Sequence, residues 1–124
     1  MCAMPVHLGT QDIVGGNSGV SGDMSLTINS LYKNIDEAVS YSVQASMTGS
    51  PLGVIQLEAS NDIVPSSAQV PVNWTVIQES VAAVTGAGTY MVNYSLPSYT
   101  WVRLVYNPTS GSGAMYTNLN TKRR

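Results

Sequence analysis

Phenylalanine is absent from this 124-residue chain, and cysteine and histidine occur once each, as Cys2 and His7. A single cysteine excludes an internal disulfide. One cysteine and one histidine do not supply the four or so converging ligands of a zinc site, so no metal is expected. Charge is scarce too: Lys, Arg, Asp and Glu make up 10% of the residues, against about 25% in an ordinary soluble domain. That excludes a charge-rich disordered tail and the Glu- and Lys-rich composition of a helical bundle. No apolar run approaches the roughly 18 residues of a membrane-spanning helix, and no membrane partner is expected. Residues Met1 to His7 lack a basic stretch followed by an apolar one, so no signal peptide is expected. The length fits one domain with one core.

The few charges are unevenly placed. Lys122, Arg123 and Arg124 close the chain, and the body before them sets only Lys33 and Arg103 against seven acids. A body of that sign repels phosphate, so nucleic acid is not an expected partner. The Lys-Arg-Arg end reads as a solvated tail or as a contact for an acidic neighbour. Neutral side chains carry the polarity instead: Ser, Thr, Asn and Gln total 40 residues.

Residues 1–22 read as an arm and residues 23–124 as the folded domain. The segment Gly9 to Gly22 holds five of the 11 glycines and no sustained period. Such a segment frays unless tied down, so the arm is expected to lie on its own domain or on a neighbour. Met4, Val6, Leu8, Ile13 and Val14 are its apolar anchors. Two fates are open: docking on a coat protein or sister subunit, or folding back as an edge strand of its own sheet.

From residue 23 the period is two. Met24, Leu26 and Ile28 alternate with polar residues, and Val39 to Thr48 alternates throughout, apolar on odd and small polar on even positions. Gly49 to Gly53 breaks the run and Val54 to Ser60 resumes it as a hairpin partner. A loop from Asn61 to Val72 carries Pro65 and Pro71. Further strands are expected at Trp74–Ile77, Tyr90–Tyr94, Tyr99–Tyr106 and Ala114–Thr121, with a turn over Asn107–Gly113. Ser30–Ala38 and Gln78–Val84 are the only stretches that fit a helical turn. About eight short strands predict an all-β, antiparallel sandwich, jelly-roll-like, with an extended N-terminal arm. Its expected core comprises Tyr41, Val43, Ala45, Ile55, Leu57, Trp74, Val76, Val102 and Leu104.

No catalytic constellation is legible. A Cys2–His7 pair is chemically a nucleophile and base, but a glycine-rich arm does not fix that geometry. The acids Asp12, Asp23, Asp36, Glu37, Glu58, Asp62 and Glu79 are scattered along the chain. Two of them meeting as a glycosidase pair is no more than chance offers. Asn61-Asp62 reads as a side chain–backbone turn, with a calcium ligand pair as the rival. Asn73-Trp74-Thr75 and Asn93-Tyr94-Ser95 match the glycosylation sequon without a secretory signal to give it meaning. No cofactor and no enzymatic activity are expected. Seven Tyr and two Trp suit interfaces or sugar-binding faces. Tyr99, Trp101 and Arg103 fall on one face of their strand, as a partner or glycan face. The alternative buries Trp74 and Trp101 in the core.

Six blocks in order carry a family likeness: Tyr41-Ser42-Val43-Gln44-Ala45, Gly53 with Leu57-Glu58-Ala59-Ser60-Asn61-Asp62, Asn73-Trp74-Thr75-Val76-Ile77, Gly86-Ala87-Gly88, Trp101 to Tyr106, and Ser110-Gly111-Ser112-Gly113. Over roughly residues 38–120 the chain resembles small structural proteins of tailed bacteriophages, similar to head decoration (cement) proteins. The Ser-Asn-Asp…Trp…Val-Arg-Leu skeleton also resembles discoidin-like carbohydrate-binding modules. The first resemblance implies a homo-oligomeric (dimeric or trimeric) virion component that clips onto the major capsid (coat) protein at the capsid surface and stabilises the head. The second implies a glycan-binding module of a virion tail, fibre or surface protein.

Overall fold

A computed structural model describes residues 6–14, 22–29, 32–36, 38–63 and 71–123, with the backbone path alone for 6–14 and 123. The strands are β1 (Val6–Val14), β2 (Ile28–Asn29), β3 (Lys33–Asn34), β4 (Ser40–Gly49), β5 (Leu52–Ser60), β6 (Thr75–Val76), β7 (Ala82–Thr85), β8 (Gly88–Ser95), β9 (Trp101–Ser110) and β10 (Gly113–Arg123), with a 3-10 turn at Gln78–Ser80. One sheet runs β1-β10-β4-β8. The other runs β2-β9-β5-β6, with β3 also on β9 and β7 also on β5, and all pairings are antiparallel. When β2 with β3, and β6 with β7, count as single interrupted strands, the connectivity is that of a jelly roll, two Greek keys folded into a sandwich.

The period of two builds the core. Tyr41, Val43, Ala45 and Met47 of β4 face Ile55 and Leu57 of β5 and Val102, Leu104 and Tyr106 of β9 in one buried cluster, closed by Met24, Ile28, Ile35, Met115 and Leu119. A one-residue slip in any of these strands would turn its apolar set to solvent, so the alternation fixes register. Trp74 and Val76 depart from the expected core, being only half-buried. Val76 lies in the two-residue edge strand β6 opposite Glu58 and Trp74 just before it under Arg103, so both are on the outer face, which no second layer covers.

Other expectations shift by a few residues. The strand β9 runs on through Asn107-Pro108-Thr109 to Ser110, leaving Gly111-Ser112 as the turn. A register shift at Leu52/Gly53 sets Pro108 opposite Gly53, a bulge that accommodates a residue with no N–H to give. The two hairpin tips then stack, with Ser50 N–H donating to Ser112 O at 2.9 Å. Gly49 and Gly111 adopt φ of +85° and +82°, and a Cβ on Gly111 would lie 2.1 Å from Ser50 O. Only glycine serves there.

Within Ser30–Ala38 the described residues hold β3 and a turn closed by Ala38 N–H on Ile35 O at 3.0 Å, and Gln78–Ser80 coils as expected. Ser80 is buried there, and its hydroxyl accepts the Leu57 N–H at 2.8 Å while Ile77 N–H donates to Leu57 O at 2.9 Å. A side chain thus replaces one rung of the ladder where the edge of β5 changes from β6 to β7. That edge strand β7 carried no clear alternation, being mostly alanine and valine.

Two buried hydroxyls have no hydrogen-bond partner among the described residues: Tyr106 OH and Thr117 Oγ1. A buried donor left unpaired costs its desolvation without return. Tyr106→Phe and Thr117→Val are therefore expected to leave stability unchanged or raise it by about 1 kcal/mol. Leu57→Ala, which empties a fully buried site, is expected to cost about 3 kcal/mol. Urea unfolding of the three variants checks the contrast, and clear destabilisation by both hydroxyl removals would defeat it.

Candidate functional site

Glu58, Trp74, Trp101 and Arg103 meet on the outer face of β5 and β9. Register sets Glu58 directly opposite Arg103 and Ser60 opposite Trp101. Arg103 donates through Nε and Nη2 to Glu58 Oε1 at 2.9 and 2.7 Å, while Gln56 Nε2 donates to Glu58 Oε2 at 3.1 Å. The guanidinium carbon also lies 4.5 Å from the centroid of the Trp74 ring, a cation–π contact on the same plane that binds the carboxylate. Side-chain exposures of 27% for Arg103 and 13% for Glu58 place the pair in a partly dry setting.

A second set of bonds closes the loop after β5. The Asp62 N–H donates to Ser60 Oγ at 3.0 Å, and Asn61 Oδ1 accepts the Thr100 N–H at 3.0 Å. Asp62 Oδ2 accepts the Val72 and Asn73 N–H groups at 2.7 and 2.9 Å, and Asn73 Nδ2 donates to Oδ1 at 3.1 Å. Those donors hold the Asp62 carboxyl below its ordinary value of 3.8, Asn73 contributing most. The Asn61-Asp62 pair is thus a side chain–backbone clamp across the two ends of a loop, and the Asn73 amide is part of it.

Both indoles are tied in. Trp74 Nε1 donates to Pro71 O, and Trp101 Nε1 donates to Asp62 O, each at 3.2 Å. The edge of Tyr32 meets Trp101 at 5.5 Å between ring centroids. Trp101 is half-buried on the outer face with Arg103, not in the core. Tyr99 does not join them. It precedes β9, packs against the core and shares a hydroxyl–hydroxyl hydrogen bond with buried Tyr41. Burial pushes both phenols above their ordinary value.

Tyr99 instead borders a cleft of about 510 Å³, with polar Asn61, Asp62 and Asn73 and apolar Val76 and Ile77 in its lining. The arm residues Val6, Leu8, Ile13 and Val14 lie in β1 at the edge of the chain's own four-stranded sheet, where β1 pairs with β10. Met4 and Cys2 lie outside the described residues, and His7 stands opposite Lys122 in that pairing. Among the described residues no three His, Cys, Asp or Glu converge as metal ligands would.

Sequence reading missed Tyr32, Pro71 and Thr100 as partners of this cluster. Two of the three contribute backbone groups, which leave no mark in side-chain patterns, and Tyr32 comes from the far strand edge. No protein-family model matches the chain, and no curated protein matches it in sequence.

The clamp carries a pH dependence whose sign follows from the depressed carboxyl. Its contribution is present above the ordinary value of 3.8 and is lost as pH falls through the lower folded value. Asp62→Asn is expected to lower the melting temperature at neutral pH, with the gap from the native protein closing as pH falls below the ordinary carboxyl value of 3.8. A gap independent of pH would contradict the clamp. Arg103→Lys keeps the charge but loses the planar fork and the ring contact, and is expected to cost about 1 kcal/mol in urea unfolding. A variant as stable as the native protein would show the brace to be inert.

Proposed function

We propose that this chain is a non-enzymatic structural protein of a virion, a decoration protein that binds the major coat protein lattice of a tailed-phage head and stabilises it. One observation carries the reading: the most conspicuous cluster of functional groups in the fold is spent on internal bonds. The Arg103 guanidinium, both indole N–H groups and the Asp62 carboxylate all have partners within the chain. They brace a sheet and a loop. Much of what the domain presents to a partner is uncharged and polar.

The outer face of the four-stranded sheet illustrates it. Its exposed positions include Gln44, Ser46, Asn93, Asn118 and Tyr116, with Lys122 the one charged residue exposed among the described side chains of β10. These side chains hydrogen-bond a protein surface with little long-range steering. Jelly rolls occur in viral capsid domains and in lectins alike, so fold alone does not choose. Many copies on a symmetric shell turn a weak single contact into a stable coat.

A second reading, a carbohydrate-binding module, rests on the cleft beside Tyr99, where Asn61, Asp62 and Asn73 border the apolar Val76 and Ile77. Mixing the protein with phage heads stripped of their decoration separates the two. Saturable co-sedimentation and a higher temperature of head disruption are expected. Absence of head binding together with saturable binding to an oligosaccharide array would overturn the decoration role. Because β1 is hydrogen-bonded into the sheet, truncation of residues 2–14 is expected to lower the melting temperature as well as any head binding by the arm.

A further inference from the structure

A sandwich has four sheet edges, and three of these are blunted. One edge of the six-stranded sheet is β2 and β3, two residues each, and the other is β6 and β7, two and four residues split by the 3-10 turn. The β1 edge of the other sheet carries two register shifts, at His7/Gly9 and Asp12/Val14. Very short strands and bulges are the devices by which natural sheets discourage edge-to-edge pairing. The remaining edge, β8, has none of them. Gly-Thr-Tyr-Met-Val-Asn-Tyr-Ser is eight residues long with no proline and no charge, and it pairs with β4 without a register shift.

The orientation of its backbone groups follows from one bond. Leu96 N–H donates to Val39 O at 2.6 Å, in line with the register that sets Ser95 opposite Ser40. Hydrogen-bonded and non-bonded pairs alternate along an antiparallel ladder. Tyr90, Val92 and Tyr94 therefore bond to β4, while Thr89, Met91, Asn93 and Ser95 turn their N–H and C=O groups outward. Those four residues are exposed, and among the described residues no strand pairs with that side of β8.

We infer that β8 is the pairing edge for a second copy of this chain, related by a twofold axis through Val92. The strand is its own complement in that register. Met91 faces Asn93 of the partner subunit and Thr89 faces Ser95 of the partner subunit, so every outward N–H and C=O finds a mate. Val92 meets its own copy across the axis, and Tyr90 stands beside Tyr94 of the partner subunit. These half-buried residues already pack on the core, and the two cores become continuous through them. Leu96, 73% exposed and held at φ +52°, comes level with the partner subunit's Gly88, which has no side chain to oppose it. Such a backbone is strained for leucine, and strain of this kind persists where the surroundings use it. The strand has no charge to repel its copy, and Glu79, whose carboxylate acts on Tyr94, lies in the opposite layer. A twofold pairing also closes on itself and ends there, which turns an aggregation-prone edge into a dimer contact.

Sedimentation velocity on the 124-residue chain, from low micromolar to sub-millimolar concentration, is expected to show a reversible dimer. Two double variants then read the register. Met91→Lys with Asn93→Lys sets like charges side by side across the axis and is expected to raise the dissociation constant by roughly tenfold or more. Met91→Lys with Asn93→Glu sets each lysine beside the partner subunit's glutamate and is expected to dimerise at least as well as the native protein. Should the first variant fail to fold, Asn93→Pro removes an N–H that β4 does not use and is expected to give a folded monomer. A native protein that stays monomeric throughout overturns the inference, as does a trimer, or equal dimerisation of both double variants. Head binding is measured separately, so a monomer that still coats heads overturns the pairing and leaves the decoration role standing.

Discussion

Nine pairings join β5 to β9, eight of them in unbroken register from Gly53 with Pro108 to Ser60 with Trp101, and most of the molecule hangs on that ladder. On its inner side it brings Ile55 and Leu57 against Leu104 and Tyr106 at the centre of the core. On its outer side the same register delivers Glu58 to Arg103 and Ser60 to Trp101. Inner packing and outer brace are thus two faces of one alignment, because side chains alternate along a strand. Any slip that relieved one would break the other.

The scarcity of charge takes on meaning in this setting. Arg103, one of two cations in the body of the chain, is used inside a partly dry cluster where it bonds a carboxylate and covers an indole. Asp62 is likewise used to join the two ends of a loop. Charges employed this way stabilise geometry. Few charges remain on the exterior, and its contacts draw on shape, hydrogen bonding and apolar side chains such as Met91 and Tyr116.

An edge without protection, a polar outer face and an internally satisfied polar cluster belong together. Surfaces that meet other protein surfaces need few charges but need definite backbone geometry. The sandwich provides it through two sheets locked by a shared core, with the hairpin tips at Gly49 and Gly111 stacked so closely that no other residue fits there. The proposed decoration role and the inferred strand-paired dimer would make the same demand on the fold: a rigid platform with its specificity at the rim.

The all-β class, the separation of the β4–β5 hairpin and most of the core were legible in the sequence, since alternation records which side of a strand is dry. Tyr41, Val43, Ile55, Leu57, Val102 and Leu104 are buried as that alternation implied. Trp74 and Val76 were misplaced because size and apolarity do not reveal whether a second layer covers an edge. The three-residue face of Tyr99, Trp101 and Arg103 failed as a unit for a related reason: β9 begins only at Trp101, and strand periodicity has no authority over a residue before the strand. The Ser60-Asn61-Asp62 run announced a turn, but its partners at residues 72, 73 and 100 are distant in sequence and mostly backbone, which carries no residue-specific mark. Sequence therefore determined which residues alternate and where the chain turns. Tertiary structure alone decided which strands lie at an edge, which polar groups are already spent and which remain to meet a partner, because those depend on neighbours that only folding supplies.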